Sequence, residues 1–248
     1  MILALCRSFV YHNPVKKQVC LLVALISIGC NVVLFSESVQ SPDDRLVRAA
    51  DQFFIEYEQK GNNKGLDTAI ELLEKLHKAQ PSDAALMVLL GRLYIDKGLS
   101  CFFLWNKFTW VKKGIALQDS AVVIAPDSLF IRYERAKSSY KLPKFLKRLA
   151  IAKNDFDILI NMLDENKSEN YSYWQIWRGF HHRYLPNGDL TTSDVQIYCH
   201  QMVYFYAGRA YYKAGNKVLA RKYISRVIQL GANSQFGVYA LLWLQITP

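Results

Sequence analysis

Large apolar side chains recur every three or four residues through most of this chain, the period of a helix with one buried face. Leu46, Ala49, Ala50, Phe53, Phe54 and Tyr57 mark a helix over 43–60, ended by Gly61-Asn62-Asn63. Ala69, Leu72, Leu73 and Leu76 mark a second over 67–79, closed by Pro81. Ser82-Asp83 can cap a third over 84–98. Residues 99–110, LSCFFLWNKFTW, then interrupt the period. It resumes over 111–124, in a helix from Leu129 that holds Ala136, and in one after Leu142-Pro143 that carries Ala152 and Phe156. Residues 166–194, rich in aromatics and containing Pro186-Asn187-Gly188, precede the clearest pattern of all. Over 203–231 large and small residues alternate around Gly215-Asn216, as two antiparallel helices joined by a turn require. A last helix over 234–246 places Tyr239, Leu242, Trp243 and Ile246 on one face.

Several of these positions resemble the tetratricopeptide repeat (TPR) family. Leu90, Gly91 and Tyr94 reproduce the Leu-Gly-x-x-Tyr core of a TPR first helix. Gly208, Tyr211, Gly215, Ala220 and Ile224 have the spacing of a whole pair. Ala69 with Pro81, and Ala121 with Pro126, resemble second-helix ends. The run Leu142-Pro143-x-Phe145-x-x-Arg148, with Ala152 and Asp155-Phe156, also resembles a bacterial subgroup of TPR-like proteins and implies no activity. The resemblance covers residues 43–248. It implies an all-α fold, a TPR-like right-handed superhelix of about four helix pairs whose C-terminal helix caps the open end. Strict TPRs repeat every 34 residues. The small positions Gly91, Ala136 and Gly208 are 45 and 72 residues apart, which requires inserts at 99–110 and 166–194.

Ahead of this domain, residues 1–38 form a distinct segment. Arg7, Lys16 and Lys17 precede an uncharged apolar run from Val19 to Phe35. A positive flank before such a run directs export, and positive-inside logic leaves the body outside the cytoplasm. The segment reads as a signal peptide cleaved near Ser36-Glu37-Ser38, as an uncleaved membrane anchor, or as a lipoprotein leader cut before Cys30. The expected location is the cell envelope, either anchored in the inner membrane facing the periplasm or exported.

The formal net charge is +10, and without residues 1–38 it is +8. A moderately basic body suits acidic partners, anionic lipid or nucleic acid without choosing among them, and of these nucleic acid is not expected. Beyond the leader only Cys101 and Cys199 remain, too few for a disulfide framework. Apolar residues at 51%, with only 12 Gly and 7 Pro, exclude a disordered chain.

Little catalytic chemistry is legible. His181-His182 and Cys199-His200 are sequence neighbours, which point apart on a helix and cannot converge on one ion or form a dyad. Glu74-x-x-His77 lacks the second copy that a carboxylate-bridged metal pair needs. Asp155 and Asp157 have no visible supporting constellation. No phosphate-binding glycine loop and no Gly-x-Ser-x-Gly occurs. No enzyme activity and no cofactor is therefore expected.

Two aromatic segments and one charged register remain. Phe102, Phe103, Trp105, Phe108 and Trp110, and Tyr171, Tyr173, Trp174, Trp177, Phe180 and Tyr184, either extend helices against the solenoid or offer a partner or membrane surface. In the TPR register, the first-helix residue after each small position faces the concave groove. Here that residue is Arg92, Lys137 and Arg209. Tyr140, Lys141, Phe205, Tyr212 and Lys213 fall on the same face. Such a basic, aromatic groove suits an acidic peptide or protein tail. The expected function is a non-enzymatic interaction module, and the alternative is a small-ligand-binding accessory of a transport system.

Overall fold

The structure is a computed structural model. It describes residues 63–165 and 192–247, with 49, 50, 52, 53, 56, 57 and 61 before them. The leader, the His181-His182 pair and the second aromatic segment lie outside these residues. The described residues fall in one unit, Leu46–Pro248. Among the described residues, which include helical positions at 49, 50, 52, 53, 56 and 57, eight helices with complete bounds follow one another: α1 (Asn63–Ala79), α2 (Ala84–Ser100), α3 (Leu104–Ile124), α4 (Leu129–Lys141), α5 (Leu149–Asp164), α6 (Thr192–Lys213), α7 (Lys217–Gly231) and α8 (Gln235–Ile246). A 3-10 turn, Lys144–Leu146, lies between α4 and α5. No strand occurs among the described residues.

Local chemistry sets the helix starts. Asp83 accepts from the Ala85 and Leu86 amides at 2.8 and 3.0 Å, Asn216 from Leu219 at 3.0 Å and Ser234 from Gly237 at 2.9 Å. Gly215, at φ +90°, makes the turn between α6 and α7 that a side chain would strain.

Small residues set the pairing. A Cβ built on Gly91 would lie 2.8 Å from both the Gly114 carbonyl oxygen and Gln118 Cγ, so the backbones of α2 and α3 touch there. Seven residues on, one built on Gly98 would lie 2.6 Å from Val111 Cγ2 and 2.9 Å from the Lys107 carbonyl. Gly208 meets Ile224 Cγ1 of α7 in the same way, at 2.7 Å. The pairs α2/α3, α4/α5 and α6/α7 therefore match the periods read from sequence, with three differences. Gly98 does not end α2, which continues to Ser100, because its missing side chain makes room for α3. Residues 104–110 are the first turns of α3, leaving only Cys101–Phe103 as a link. Likewise α6 begins at Thr192, ahead of the Val203 that the pattern suggested.

Every residue from Ala84 to Ile95 is buried, so α2 is wrapped by α1, α3 and α4. Leu66, Leu73, Val88, Leu93 and Phe130 belong to one apolar cluster, and Tyr133, Phe156, Leu159, Met202, Val203 and Phe236 to another. Helix α4 joins them, giving Phe130 and Ile131 to the first and Leu129, Tyr133 and Ala136 to the second.

Successive pairs are tied by tyrosine–carboxylate bonds. Tyr94 of α2 donates to Glu74 of α1 at 2.5 Å. Tyr211 and Tyr204 of α6 donate to Asp157 (2.6 Å) and Asp164 (2.9 Å) of α5. Both members of the second set are spaced by seven residues and run in opposite directions, so α5 and α6 are antiparallel. Burial first, then the bonded carboxylate, raises all three phenols, with Tyr204 pushed up to about 12. The bond requires the protonated phenol, and an unfolded tyrosine titrates near 10. The stabilisation is thus complete below about pH 10 and lost as pH rises through the folded value. The melting temperature should fall steeply between about pH 10 and 12, and less steeply in a Tyr204→Phe/Tyr211→Phe variant. Parallel slopes in the two proteins would show that these bonds are not formed.

Candidate functional site

The first helices of three pairs, α2, α4 and α6, carry the register singled out from sequence. Arg92 is buried, with Nη1 3.3 Å from Glu134 Oε2 and Nε 3.8 Å from Asp96 Oδ2. Lys137 is also buried, its Nζ 5.5 Å from the Tyr133 ring centroid and 5.4 Å from that of Tyr206. Arg209 is exposed, its guanidinium 5.4 Å from the Tyr140 ring centroid and 5.8 Å from that of Phe205. Two rings thus hold this cation at the surface.

The other members take different positions. Lys213 donates to the Tyr140 and Leu142 carbonyls at 2.6 and 2.9 Å, capping the C-terminus of α4 from a neighbouring pair. Burial, then the charge of Lys144, lowers its pKa. Burial raises the Tyr140 phenol, against the opposing charge of Arg209. Phe205 is buried, Lys141 is exposed at the end of α4, and Tyr212 meets Trp243 edge-on at 5.2 Å. Tyr140, Phe205, Arg209, Tyr212 and Lys213 therefore lie together where α6 meets the end of α4. Lys137 joins them through Tyr206, which is 6.0 Å from Tyr140. Arg92 stands apart, paired with Glu134 one turn before Lys137.

A cleft of about 320 Å³ opens beside Arg209, and the sequence register missed most of it. Phe205, Tyr206 and Arg209 of α6 form one wall, and Phe236, Tyr239, Leu242, Trp243 and Ile246 of α8 the other. Four of these α8 residues were expected to cap the solenoid. Instead α8 buries Phe236, Gly237 and Ala240, while Leu242 remains 51% and Ile246 78% exposed. The cause is an off-centre seat. Gly237 packs against the carbonyl oxygen of Gly231 with no room for a Cβ, which buries the first turn of α8 and leaves the rest to line the cleft. The signal available in the sequence was an apolar helix with no polar outer face, since Val238 and Leu241 continue the apolar surface.

Residues weighed for catalysis have structural partners. Asp155 is bound by Arg132 and Arg135, and Asp157 accepts from Tyr211. Burial pushes the Cys199 thiol well up, away from the thiolate form. His200 Nδ1 lies 2.8 Å from its own helix, at the Gln196 carbonyl oxygen. Cys101 and Cys199 are both free thiols. Among the described residues no three His, Cys, Asp or Glu side chains converge as metal ligands, and no helix is long and apolar enough to cross a membrane.

The fold defined by these contacts is an all-α array of antiparallel helix pairs. No family model matches the chain, and no curated protein matches it. Among solved structures it is similar to "Crystal structure of MamA protein", at 17% identity and TM-score 0.30 over 73% of this chain and 91% of that one. It is also similar to "Crystal structure of MamA", at 18% identity and TM-score 0.31 over 71% and 92%. At these scores neither likeness bears on function.

Proposed function

We propose that this chain is a non-enzymatic protein-interaction module of the cell envelope. Its helix pairs form a TPR-like right-handed superhelix, exported or anchored through residues 1–38. The partner is an acidic peptide or protein tail, received where α6 faces α8. The carrying observation is the exposed Arg209 guanidinium, held over Tyr140 and Phe205 at the rim of the aromatic cleft. A carboxylate can pair with this cation while a neighbouring apolar side chain enters between Phe236, Tyr239 and Trp243. Lys141 adds exposed positive charge nearby. A small-ligand reading draws on the cleft's size, since about 320 Å³ suits one side chain or one small molecule.

The test is an array of acidic dodecapeptides, each with one central Leu, Phe or Trp, read by fluorescence anisotropy. Binding should weaken with salt and fall at least about tenfold in Arg209→Ala, the scale of one charge-assisted hydrogen bond. Arg209→Ala suits this better than a change at Arg92, which is buried and paired with the buried Glu134. Binding unaffected by both Arg209→Ala and Trp243→Ala would reject the site. Alkaline phosphatase fused after Ser41 should be active if the body is exported, and an inactive fusion would reject that location.

A further inference from the structure

A second surface lies away from the cleft, at the tip where α2 turns into α3. Phe102, Phe103, Leu104 and Trp105 follow one another there, 93%, 69%, 62% and 84% exposed. Large apolar side chains this exposed and this close together are not explained by the packing of the described residues, which leave them uncovered. Phe102 and Phe103 touch edge-to-face at 5.6 Å. The patch continues across α3, where Phe108 packs edge-on against Phe145 of the 3-10 turn at 5.8 Å and Phe145 remains 64% exposed.

The chain segments that form the tip are basic. Residues 97–118 contain four lysines and no carboxylate, and residues 141–148 contain three lysines, one arginine and no carboxylate. Lys97 is paired with Asp67 and Arg148 with Asp119. Lys107 sits in the first turn of α3, and Lys144 and Lys147 flank Phe145, so these lysines neighbour the apolar residues along the chain.

We propose that this tip docks the protein onto an anionic lipid bilayer. Phe102 and Phe103 would enter the headgroup–acyl boundary, Trp105 would lie at that boundary, and Lys107, Lys144 and Lys147 would rest on the lipid phosphates. Composition favours a bilayer, since an aromatic apolar face bordered by lysines is the pattern of interfacial segments on anionic membranes. This surface is independent of the peptide cleft and stands or falls apart from it.

The test uses the full chain in vesicles containing brominated lipid, either phosphatidylglycerol or phosphatidylcholine. Of the five tryptophans, Trp105 is isolated by subtracting the emission of Trp105→Phe. The leader is shared by the wild type and the lysine variant described below, so the comparison between them isolates the tip. The expected result is at least twofold stronger quenching of Trp105 in phosphatidylglycerol than in phosphatidylcholine. Lys107→Glu, Lys144→Glu and Lys147→Glu together should remove that difference without loss of helicity. A Trp105 signal unquenched in both vesicle types overturns the proposal. Equal quenching in both overturns the anionic assignment. A Trp105 signal that shifts to the blue only as protein concentration rises, without lipid, overturns it in favour of a second copy of the chain.

Discussion

Replacing Asp155 with Ala should destabilise the protein by about 3–5 kcal/mol, the cost of removing one partner from a buried ion pair. The Asp155 side chain is fully buried on α5. Arg135 grips it with two parallel bonds, Nε to Oδ2 at 2.8 Å and Nη2 to Oδ1 at 2.7 Å, and Arg132 adds a third at 3.1 Å. Burial alone would lower the Arg135 pKa, but bonding to Asp155 and the charges of Asp155 and Asp119 outweigh it and raise it. Without Asp155, two guanidiniums whose side chains are only 13% exposed would face each other across a cavity. Asp119 supplies the control. It accepts from Arg135 and Arg148, yet its side chain is 40% exposed, so Asp119→Ala should cost only about 0–1 kcal/mol. Urea unfolding separates the two. At about 2–4 °C per kcal/mol, Asp155→Ala should also melt roughly 6–20 °C lower. Equal, small effects at both sites would mean that Asp155 is not held inside this network.

That network was invisible in the sequence, and the reason is general to this fold. What is local was legible. Leu90-Gly91-x-x-Tyr94, the Gly208–Ala220 spacing and the Ser82-Asp83 cap each act within one helix or one pair. Their periods therefore report pairing directly. Partners across a pair or between pairs carry no such period. Glu134 lies 42 residues from Arg92, and Asp155 lies 20 from Arg135. The row Arg92, Lys137 and Arg209 could be read as a register. That Arg92 pairs with Glu134 while Arg209 reaches the surface could not. The same limit applies to exposure. Helical spacing shows that α8 has an apolar face, and Phe102–Trp105 an apolar run, without showing whether anything covers them.

Replacing Gly114 with Ala should lower stability by about 1–3 kcal/mol, against the usual direction of that change in a helix. Ala normally stabilises a helix interior over Gly by about 1 kcal/mol, because it restricts the unfolded chain. At Gly114 the new Cβ would fall on the Gly91 carbonyl oxygen, closer than such atoms pack, with Ile95 Cγ1 at 2.7 Å and Ile95 N at 3.0 Å. Two of these three neighbours are backbone atoms of α2, which cannot turn aside. The helices must separate instead. That motion would strain Gln118, buried one turn further along α3, whose Nε2 reaches the Val88 carbonyl at 3.4 Å and Ser138 Oγ at 3.0 Å and so links α2, α3 and α4. Gly208 supplies a graded comparison. Its nearest neighbours are the Ile224 side-chain carbons at 2.7 and 2.8 Å, followed by the Ala220 carbonyl oxygen at 3.1 Å, and Ile224 is itself fully buried. Gly208→Ala should therefore cost less than Gly114→Ala, whose Cβ meets backbone first, while Gly208→Leu should cost about 1–3 kcal/mol. Thermal melts of the four proteins order the sites: wild type highest, Gly208→Ala between, Gly114→Ala and Gly208→Leu clearly below. An Ala at 114 that raises the melting temperature would show that α2 and α3 do not touch through their glycines.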